Sequence, residues 1–542
     1  MERIEGRYVT LSHCWGKIEF LHLATTTLPR FEEGVELEAL LKTFRHAFDI
    51  SCRLGIRYIW IDSLCILQDS EDDWLYQSAQ MDQIYNNSLC NISATAAENS
   101  TEGLYADRHE FQTWTDDIDL KTDGIPGRDD SRSIQKCTIL DLAFWERIVD
   151  NAAVNRRGWV LQERLIAPRV LHFCHNQIAW ECWEKEFAES RPDNLTLHQL
   201  IGGSVMDGNR LKSMIPTFNG RLLREERLRK SMHGKPWEID EHLINAMPSI
   251  YCFEIWKRIV EVYSKALLTK PSDKLIALAG IAKLMSRRIM NGNDENYVAG
   301  MWRTHIEGQL LWRVDPVVRR GSFIFHSERP ADYRAPTFSW AAVDTNEGIK
   351  YGDATDYGLS PDKYKFIAVD RVKIEQKTRD SFGVIVSGYI VVKGVLKKIA
   401  IFDSKRDCYT RYHWQLKKDG QILGETYKMI YLDAPKSDCP GILDYGSGNG
   451  FVDGRAYCLP VALDRVTSRS ELDGSPQELV CLLLQSVKGE HGTFRRIGLT
   501  KISRYHSRSQ EEVFELSKFG EEANMPCPWD PIAKKHTIRI IC

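Results

Sequence analysis

At 542 residues the chain is long enough for two to four domains, and with 43% apolar and 10% aromatic residues it can bury large cores, which excludes disorder over most of its length. A formal charge of −3 gives no electrostatic footprint for nucleic acid or a membrane surface, and no run approaches the roughly 18 apolar residues that a membrane-crossing helix needs. Fourteen cysteines lie scattered without a C-x-x-C pair or a Cys/His cluster at zinc spacing, so they read as reduced thiols of a cytosolic or nuclear chain, and no metal site is expected.

The N-terminal segment "MERIEGRYVTLSHCWG" lacks the apolar core of a signal peptide, which fits a cytoplasmic location. Residues 8–13 predict a short buried strand. In "LEALLKTFRHAFDISCRLG" the spacing of Leu37, Leu40, Leu41, Phe44 and Phe48 predicts a helix that stops at Gly55. Residues 56–62, "IRYIWID", predict a second strand. "EDDWLYQSAQMDQIYNN" follows as a helix capped by Asp72 or Asp73, with Trp74, Ser78, Met81 and Tyr85 on one face. Residues 89–95 predict a third strand. A polar, turn-rich insertion then occupies about 98–155. After it, "GWVLQERL" predicts one or two helical turns ended by Pro168, and "RVLHFC" and "IAWECW" predict two more strands.

This order is the signature of an open parallel sheet with helices on both faces, which binds ligands at the carboxyl ends of its strands. Residues 190–300 read as mainly helical, with "KPSDKLIALAGIAKLMSRRI" capped at Ser272 or Asp273 and "YVAGMWRTHIEGQLLWRV" amphipathic. From about 335 onward strands dominate, "TFSWAAVD" and "HTIRIIC" among them, and their Gly- and Asp-rich turns predict an antiparallel sandwich or barrel-like module. The expected division is 1–185, 186–330 and 331–542.

No P-loop, H-E-x-x-H or G-x-S-x-G motif occurs. "GSGNG", residues 446–450, precedes a strand-like run and reads as a turn rather than a phosphate cradle. Cys14 beside His13 suggests a thiol nucleophile, but adjacent strand residues point to opposite faces and make a poor dyad. Ser12, His13, Cys14, Trp15 and Gly16 fall at the end of the first strand, and Asp62 and Ser63 at the end of the second. Residues 159–163 come after the third. Trp15 and Gly16 fit a core indole and turn as well as a ligand contact. Asp62 fits a cap for the next segment as well as a holder of a ligand hydroxyl. Arg156 and Arg157 have the charge and fork to bind phosphate, or lie on the surface. Gln68 closes the same pocket or is a loop amide. Glu163 shares a helical face with Trp159 and is suited to accept hydrogen bonds from sugar hydroxyls; its bland reading is an ion pair with Arg164, Arg169 or an insertion residue.

Three stretches, "YVTLSHCWG", "RYIWIDSLCILQDSEDDWLYQSAQMDQIYNNS" and "RRGWVLQERLIAPRVLHF", closely resemble the three signature blocks of the fungal heterokaryon incompatibility (HET) domain over residues 7–175. The later "DKLIALAGIA", "YVAGMW" and "APTFSWAAVD" resemble the usual C-terminal companion of that domain. His13 stands where the family more commonly has Tyr, and the segment that usually precedes the first block is almost absent. The resemblance implies a role in programmed cell death when genetically unlike hyphae fuse, an incompatibility partner protein, and self-association through the domain. It also implies a distant kinship with TIR domains, hence a TIR/flavodoxin-like α/β fold at the N-terminus. TIR enzymes cleave NAD with a Glu in a W-x-x-x-E turn, a spacing matched by Trp159 and Glu163. On that carry-over Glu163 is the catalytic residue, and Ser12, Trp15, Gly16, Asp62, Arg157 and Trp159 bind the ligand. NAD is then the substrate and no cofactor is required. The alternative is a non-catalytic signalling or scaffold module that acts by self-association.

Overall fold

Four short parallel strands build the N-terminal sheet: β1 (Tyr8–Ser12), β2 (Tyr58–Trp60), β3 (Asn91–Ser93) and β4 (Arg169–Phe173), in the order β2-β1-β3-β4. Two antiparallel strands, β5 (Ile178–Cys182) and β6 (Glu186–Ala188), extend it beyond β4. The sheet is therefore mixed but mostly parallel. The turn between β4 and β5 is far too short for a crossover, so the chain can only reverse. The computed structural model describes residues 5–106, 117–121, 134–138, 141, 143–190, 198–201, 204–207, 211–214, 248–289, 292–319, 322–351, 365–403, 412–418, 421–427, 429–438, 455–465, 477–502 and 525–541. They fall into two compact units, Met1–Thr217 and Phe218–Cys542.

The two faces of this sheet differ in chemistry. Val9, Leu11 and Ile92 point to one side and pack with Phe44, Ala47 and Ile50 of the helix Lys42–Arg53. That helix begins later than its apolar spacing predicts, because residues Leu37–Ala39 form a separate 3-10 turn. The opposite face carries Thr10 and Ser12 from β1, Asn91 and Ser93 from β3 and His172 from β4, all buried. Alternation along each strand and in-register parallel pairing put these polar groups side by side.

The helix Gly158–Ile166 covers the polar face and sends neighbouring residues into separate clusters. Arg164 donates bidentately to Glu181 at 2.8 and 3.0 Å and to Asp150 at 2.6 Å. His172 Nε2 lies 3.3 Å from the same Glu181 carboxylate, and its Nδ1 lies 3.0 Å from the Thr95 hydroxyl. Burial works against the Glu181 charge, but Arg164 and His172 hold its carboxyl far below the ordinary range. Pro168 ends the helix and has no N–H to offer the carbonyl of Arg164. Lys212, buried beneath, donates to that carbonyl and to that of Ala167 at 2.7 Å, and burial pulls its ammonium down to about 8.

Residues 71–87 form two helices, Glu71–Ser78 and Met81–Asn86, broken at 79–80. The cap is Ser70, whose hydroxyl accepts from the Asp73 N–H at 3.3 Å, and not Asp72 or Asp73. Asp73 is engaged instead by the Leu67 N–H at 2.8 Å. Within the insertion lie the hairpin Asp117–Lys121 with Ile134–Thr138, a π-helical turn at Glu146–Asp150 and a 3-10 turn at Val154–Arg156. A second hairpin, His198–Ile201 with Ser204–Asp207, stands where the sequence reads as helical.

In the second unit the helices Pro248–Tyr263 and Ala279–Ile289 are joined through 3-10 turns at Pro271–Lys274 and Ile276–Leu278, so neither Ser272 nor Asp273 caps the α-helix. The amphipathic run at 297–314 is not one helix. Ala299 (φ 50°) and Gly300 (φ 87°) turn it into the hairpin Tyr297–Val298 with Met301–Trp302, and only Ile306–Gln309 is helical. "TFSWAAVD" is likewise no strand; it holds the 3-10 turn Trp340–Ala342, whose Ser339 hydroxyl accepts from the Ala341 N–H at 3.0 Å. Trp312–Arg313 pairs with Lys350–Tyr351 and Val317–Arg319 with Ser322–Ile324 as separate two-stranded sheets, and the strands from Ala368 onward join one eleven-stranded sheet, antiparallel except where Thr493–Ile502 pairs with Lys535–Ile540. Arg496 is buried in it, 3.0 Å from Asp433 and with its guanidinium 3.5 Å from the Trp312 ring centre. The glycine run 446–450 lies outside the described residues. Among those described, no helix is long and apolar enough to cross a membrane.

Because Arg164 is bonded to both Glu181 and Asp150, Arg164→Met is expected to cost about 3–5 kcal/mol by stranding a buried charge. Urea unfolding of the intact chain, followed by the first transition, measures this.

Candidate active site

Glu163 points inward onto the sheet, and only 5% of it is exposed. Its carboxylate accepts a short hydrogen bond from the Ser12 hydroxyl. Ser12 in turn accepts from the Asn91 side-chain Nδ2 at 2.9 Å, and Thr10 donates to the Asn91 side-chain Oδ1 at 3.0 Å. The buried Tyr85 of the helix Met81–Asn86 adjoins this group; burial first, and then the Glu163 and Asp62 charges, push its phenol well above the ordinary range. Neither Arg164 nor Arg169 takes the carboxylate: the first belongs to Glu181, and the second donates to the Leu89 carbonyl at 3.3 Å.

Asp62 sits at the carboxyl end of β2 with a half-buried carboxylate. One oxygen accepts from the Ser63 N–H at 2.7 Å, and the other accepts from the Trp15 indole N–H at 3.2 Å. Asp62 thus starts the short helix Asp62–Cys65 and fixes Trp15 as well. His13 Nδ1 is 3.8 Å away; burial, opposed by the Asp62 charge, drops this imidazole to about 4, so it is neutral at pH 7. Its ring meets Phe44 edge-on at 5.0 Å, on the apolar side of the sheet, away from Ser12. The neighbouring Cys14 thiol is pushed up by burial. The two cannot act as a nucleophilic pair.

Arg157 precedes the Glu163 helix in extended conformation and donates to the His13 carbonyl. Arg156 is exposed. Trp159 is half-buried, one turn before Glu163, and meets Trp74 edge-on at 6.0 Å. Gly16 is in an exposed turn at φ 74°, where a Cβ would come within 2.5 Å of the Asn99 side chain, so its glycine is required by backbone geometry and a close neighbour. Gln68 ties its own loop to the Asp62 and Ile66 carbonyls at 3.1 and 3.0 Å. Ser12, Asp62, Arg157 and Glu163 form one electrostatic cluster, with Trp15 attached through Asp62. Trp159 and Gly16 flank it.

Tyr85, Asn91 and Thr10 belong to the same cluster and were not singled out as site residues by the sequence. The signal was there: Asn91, Ser93 and Thr95 alternate as polar residues through an otherwise apolar strand, and Tyr85 shares a face with Trp74.

Burial pushes the Glu163 carboxyl up to about 7, helped by the Asp62 charge and opposed by the Ser12 and Tyr85 hydroxyls and the Arg157 charge. Among the described residues no group of three His, Cys, Asp or Glu could hold a metal ion. The arrangement therefore offers one carboxyl poised between its two protonation states, hydroxyl donors around it, a second carboxylate and aromatic walls.

Residues 8–163 match the family model described as Heterokaryon incompatibility protein (HET). This segment is a HET domain, and the match runs from the first strand to Glu163 itself. No curated protein matches the chain, and no solved structure does.

The raised carboxyl has a thermodynamic consequence. Between its unfolded value of 4.5 and about 7 the folded state holds the extra proton, so stability falls as pH rises through this window. The penalty above pH 7 is on the order of 3 kcal/mol. Glu163→Gln, which carries no charge at any pH, is expected to unfold at a higher temperature than the parent at pH 8 and to lose that advantage at pH 5; thermal unfolding at both values checks it.

Proposed function

We propose that this HET-domain protein is a heterokaryon-incompatibility effector of cell death, and that its N-terminal unit acts by cleaving NAD at the nicotinamide–ribose bond. The observation that carries the reading is the meeting of the three blocks at one carboxylate: Ser12 from the first, Asp62 and Tyr85 from the second, Arg157 and Glu163 from the third.

The chemistry asks little of a protein. Nicotinamide leaves as a neutral pyridine, taking the bonding pair from C1′, so it needs no general acid. Water adds at C1′ and releases a proton, giving ADP-ribose. The transition state resembles an oxocarbenium ion. An ionised Glu163 holding ribose hydroxyls would orient the sugar and stabilise that charge. A substrate whose pyridinium is positive draws the carboxyl toward its ionised form, since an opposite charge favours it. Arg157 and the half-exposed Asp62 stand at the rim of the same cluster.

One observation favours the second reading, a non-catalytic module that signals by self-association: Glu163 already accepts from the Ser12 hydroxyl of its own chain and is nearly closed to solvent.

The test is nicotinamide release from NAD by the purified full chain at increasing protein concentration, in parallel with Glu163→Gln. The variant is expected to lose at least about a hundredfold in kcat/KM. In the parent, kcat/KM is expected to rise with pH and level off above about 7, falling about tenfold per unit below it, because the ionised carboxylate is the active form. Equal turnover by both proteins overturns the role of Glu163, and no turnover at any concentration leaves the module.

A further inference from the structure

Among the described residues, β2 is an edge of the N-terminal sheet, paired with β1 on one side only. The ladder fixes which of its backbone groups face outward. Tyr8 and Thr10 turn theirs toward β3: the Thr10 N–H donates to the Cys90 carbonyl at 3.1 Å, and the Leu89 N–H to the Tyr8 carbonyl at 2.9 Å. Val9, between them, therefore faces β2. In register with Ile59, it engages the Tyr58 carbonyl and the Trp60 N–H. Ile59 is left with its own N–H and C=O pointing away from the sheet, and among the described residues no hydrogen bond reaches them.

Folded chains protect such edges with charges, proline or bulges. The edge strand Ala368–Gln376 of the large sheet does so: it carries Asp370, Arg371, Lys373 and Glu375, and its register slips twice. β2 reads Tyr58-Ile59-Trp60, with no charge, no proline and no slip. Its three side chains are half-buried, whereas Val9 and Ile92 of the inner strands are fully buried. A groove of about 260 Å³ runs along it, lined by Gly6, Tyr8, Tyr58, Ile59, Trp60 and Ile84.

This edge is complementary to itself. In an antiparallel pair of two β2 strands with a two-fold axis at Ile59, each Ile59 donates to the other and accepts from it. Tyr58 of each copy then stands across from Trp60 of the other, giving aromatic cross-strand pairs on the groove side. The exposed Arg57, just before each strand, comes to the end of the other strand, where the half-buried Asp62 lies. The charges that meet there are opposite.

We propose that β2 is the self-association surface of the N-terminal unit, pairing antiparallel about Ile59 with β2 of a second copy of this chain. Three residues supply few bonds, so the pairing is weak and governed by concentration. It holds whether or not the unit cleaves NAD.

Sedimentation velocity of the full chain from about 1 to 200 µM tests the pairing, and the parent is expected to pass from monomer to dimer within that range. Ile59→Pro removes the outward N–H, keeps the bonds of Tyr58 and Trp60 to β1, and suits the extended backbone that a residue before proline adopts. Both bonds between the copies are lost, so the dissociation constant is expected to rise at least about tenfold. Arg57→Glu, at an exposed position, is expected to raise it several-fold at low salt and to have little effect at about 1 M salt. In the parent, hydrogen exchange at the Ile59 amide should slow as concentration rises, while the Trp60 amide stays unchanged. A parent that is monomeric throughout, or a dimer indifferent to both variants, overturns the pairing. So does an Ile59 amide that is open at every concentration, or one protected at every concentration, which would mean that the chain's own residues cover the edge. Should Ile59→Pro not fold, Arg57→Glu and the Ile59 amide decide. Nicotinamide release from NAD is read in the same samples. A dimer without release keeps the pairing and removes NAD as substrate, and release by a strict monomer does the reverse.

Discussion

The N-terminal unit depends on one packing problem: a helix laid over the polar face of a sheet. Buried donors and acceptors must all find partners, because each one left over costs about as much as several good contacts return. The helix Gly158–Ile166 answers much of that demand with the consecutive residues Glu163 and Arg164. Arg164 reaches Glu181, Asp150 and, through Glu181, His172. Glu163 reaches Ser12. Even the carbonyl freed by Pro168 is met by Lys212. The position of Glu163 is thus not a local choice; it is fixed by the same helix registration that places Arg164.

The two carboxylates under this helix show how environment divides identical chemistry. Glu181 faces a guanidinium in fork geometry and is held ionised. Glu163 faces hydroxyls, with Arg157 near and Asp62 opposing it, and sits near 7. Hydroxyls exchange partners more readily than a bidentate ion pair does, because neither side is left with an uncompensated charge. One cluster is built to stay, and the other is built from groups that a ligand can imitate.

The strand order, the two main helices of the sheet and the β-rich second half were legible in the sequence because each rests on local periodicity. Val9, Leu11 and Ile92 alternate, and Phe44, Ala47 and Ile50 repeat at helical spacing. What failed was decided by backbone turns that periodicity does not encode. Ala299 and Gly300 at positive φ broke an amphipathic run into a hairpin, and the short link after Phe173 reversed the sheet's last strands. The candidate site was legible in its charged and aromatic members, since strand ends in such a sheet converge. Its neutral members were harder to weigh: alternation puts Asn91 among polar strand positions, but its hydrogen bonds to Thr10 and Ser12 span 81 and 79 positions of chain, which local spacing does not encode.

The family match ends at Glu163, yet the geometry of Glu163 is completed by residues beyond it. Arg164, the next residue, is anchored by Glu181 on β5, and the helix end is closed by Lys212. The three motif blocks supply the groups around the carboxylate, while Glu181 and Lys212 beyond them hold the helix that carries it. Positioning to within hydrogen-bond tolerance needs such support, since a carboxylate free to rotate would hold no single geometry. The structural unit that holds this carboxylate is therefore larger than the segment its motifs define, and it reaches at least to the lysine under the helix end.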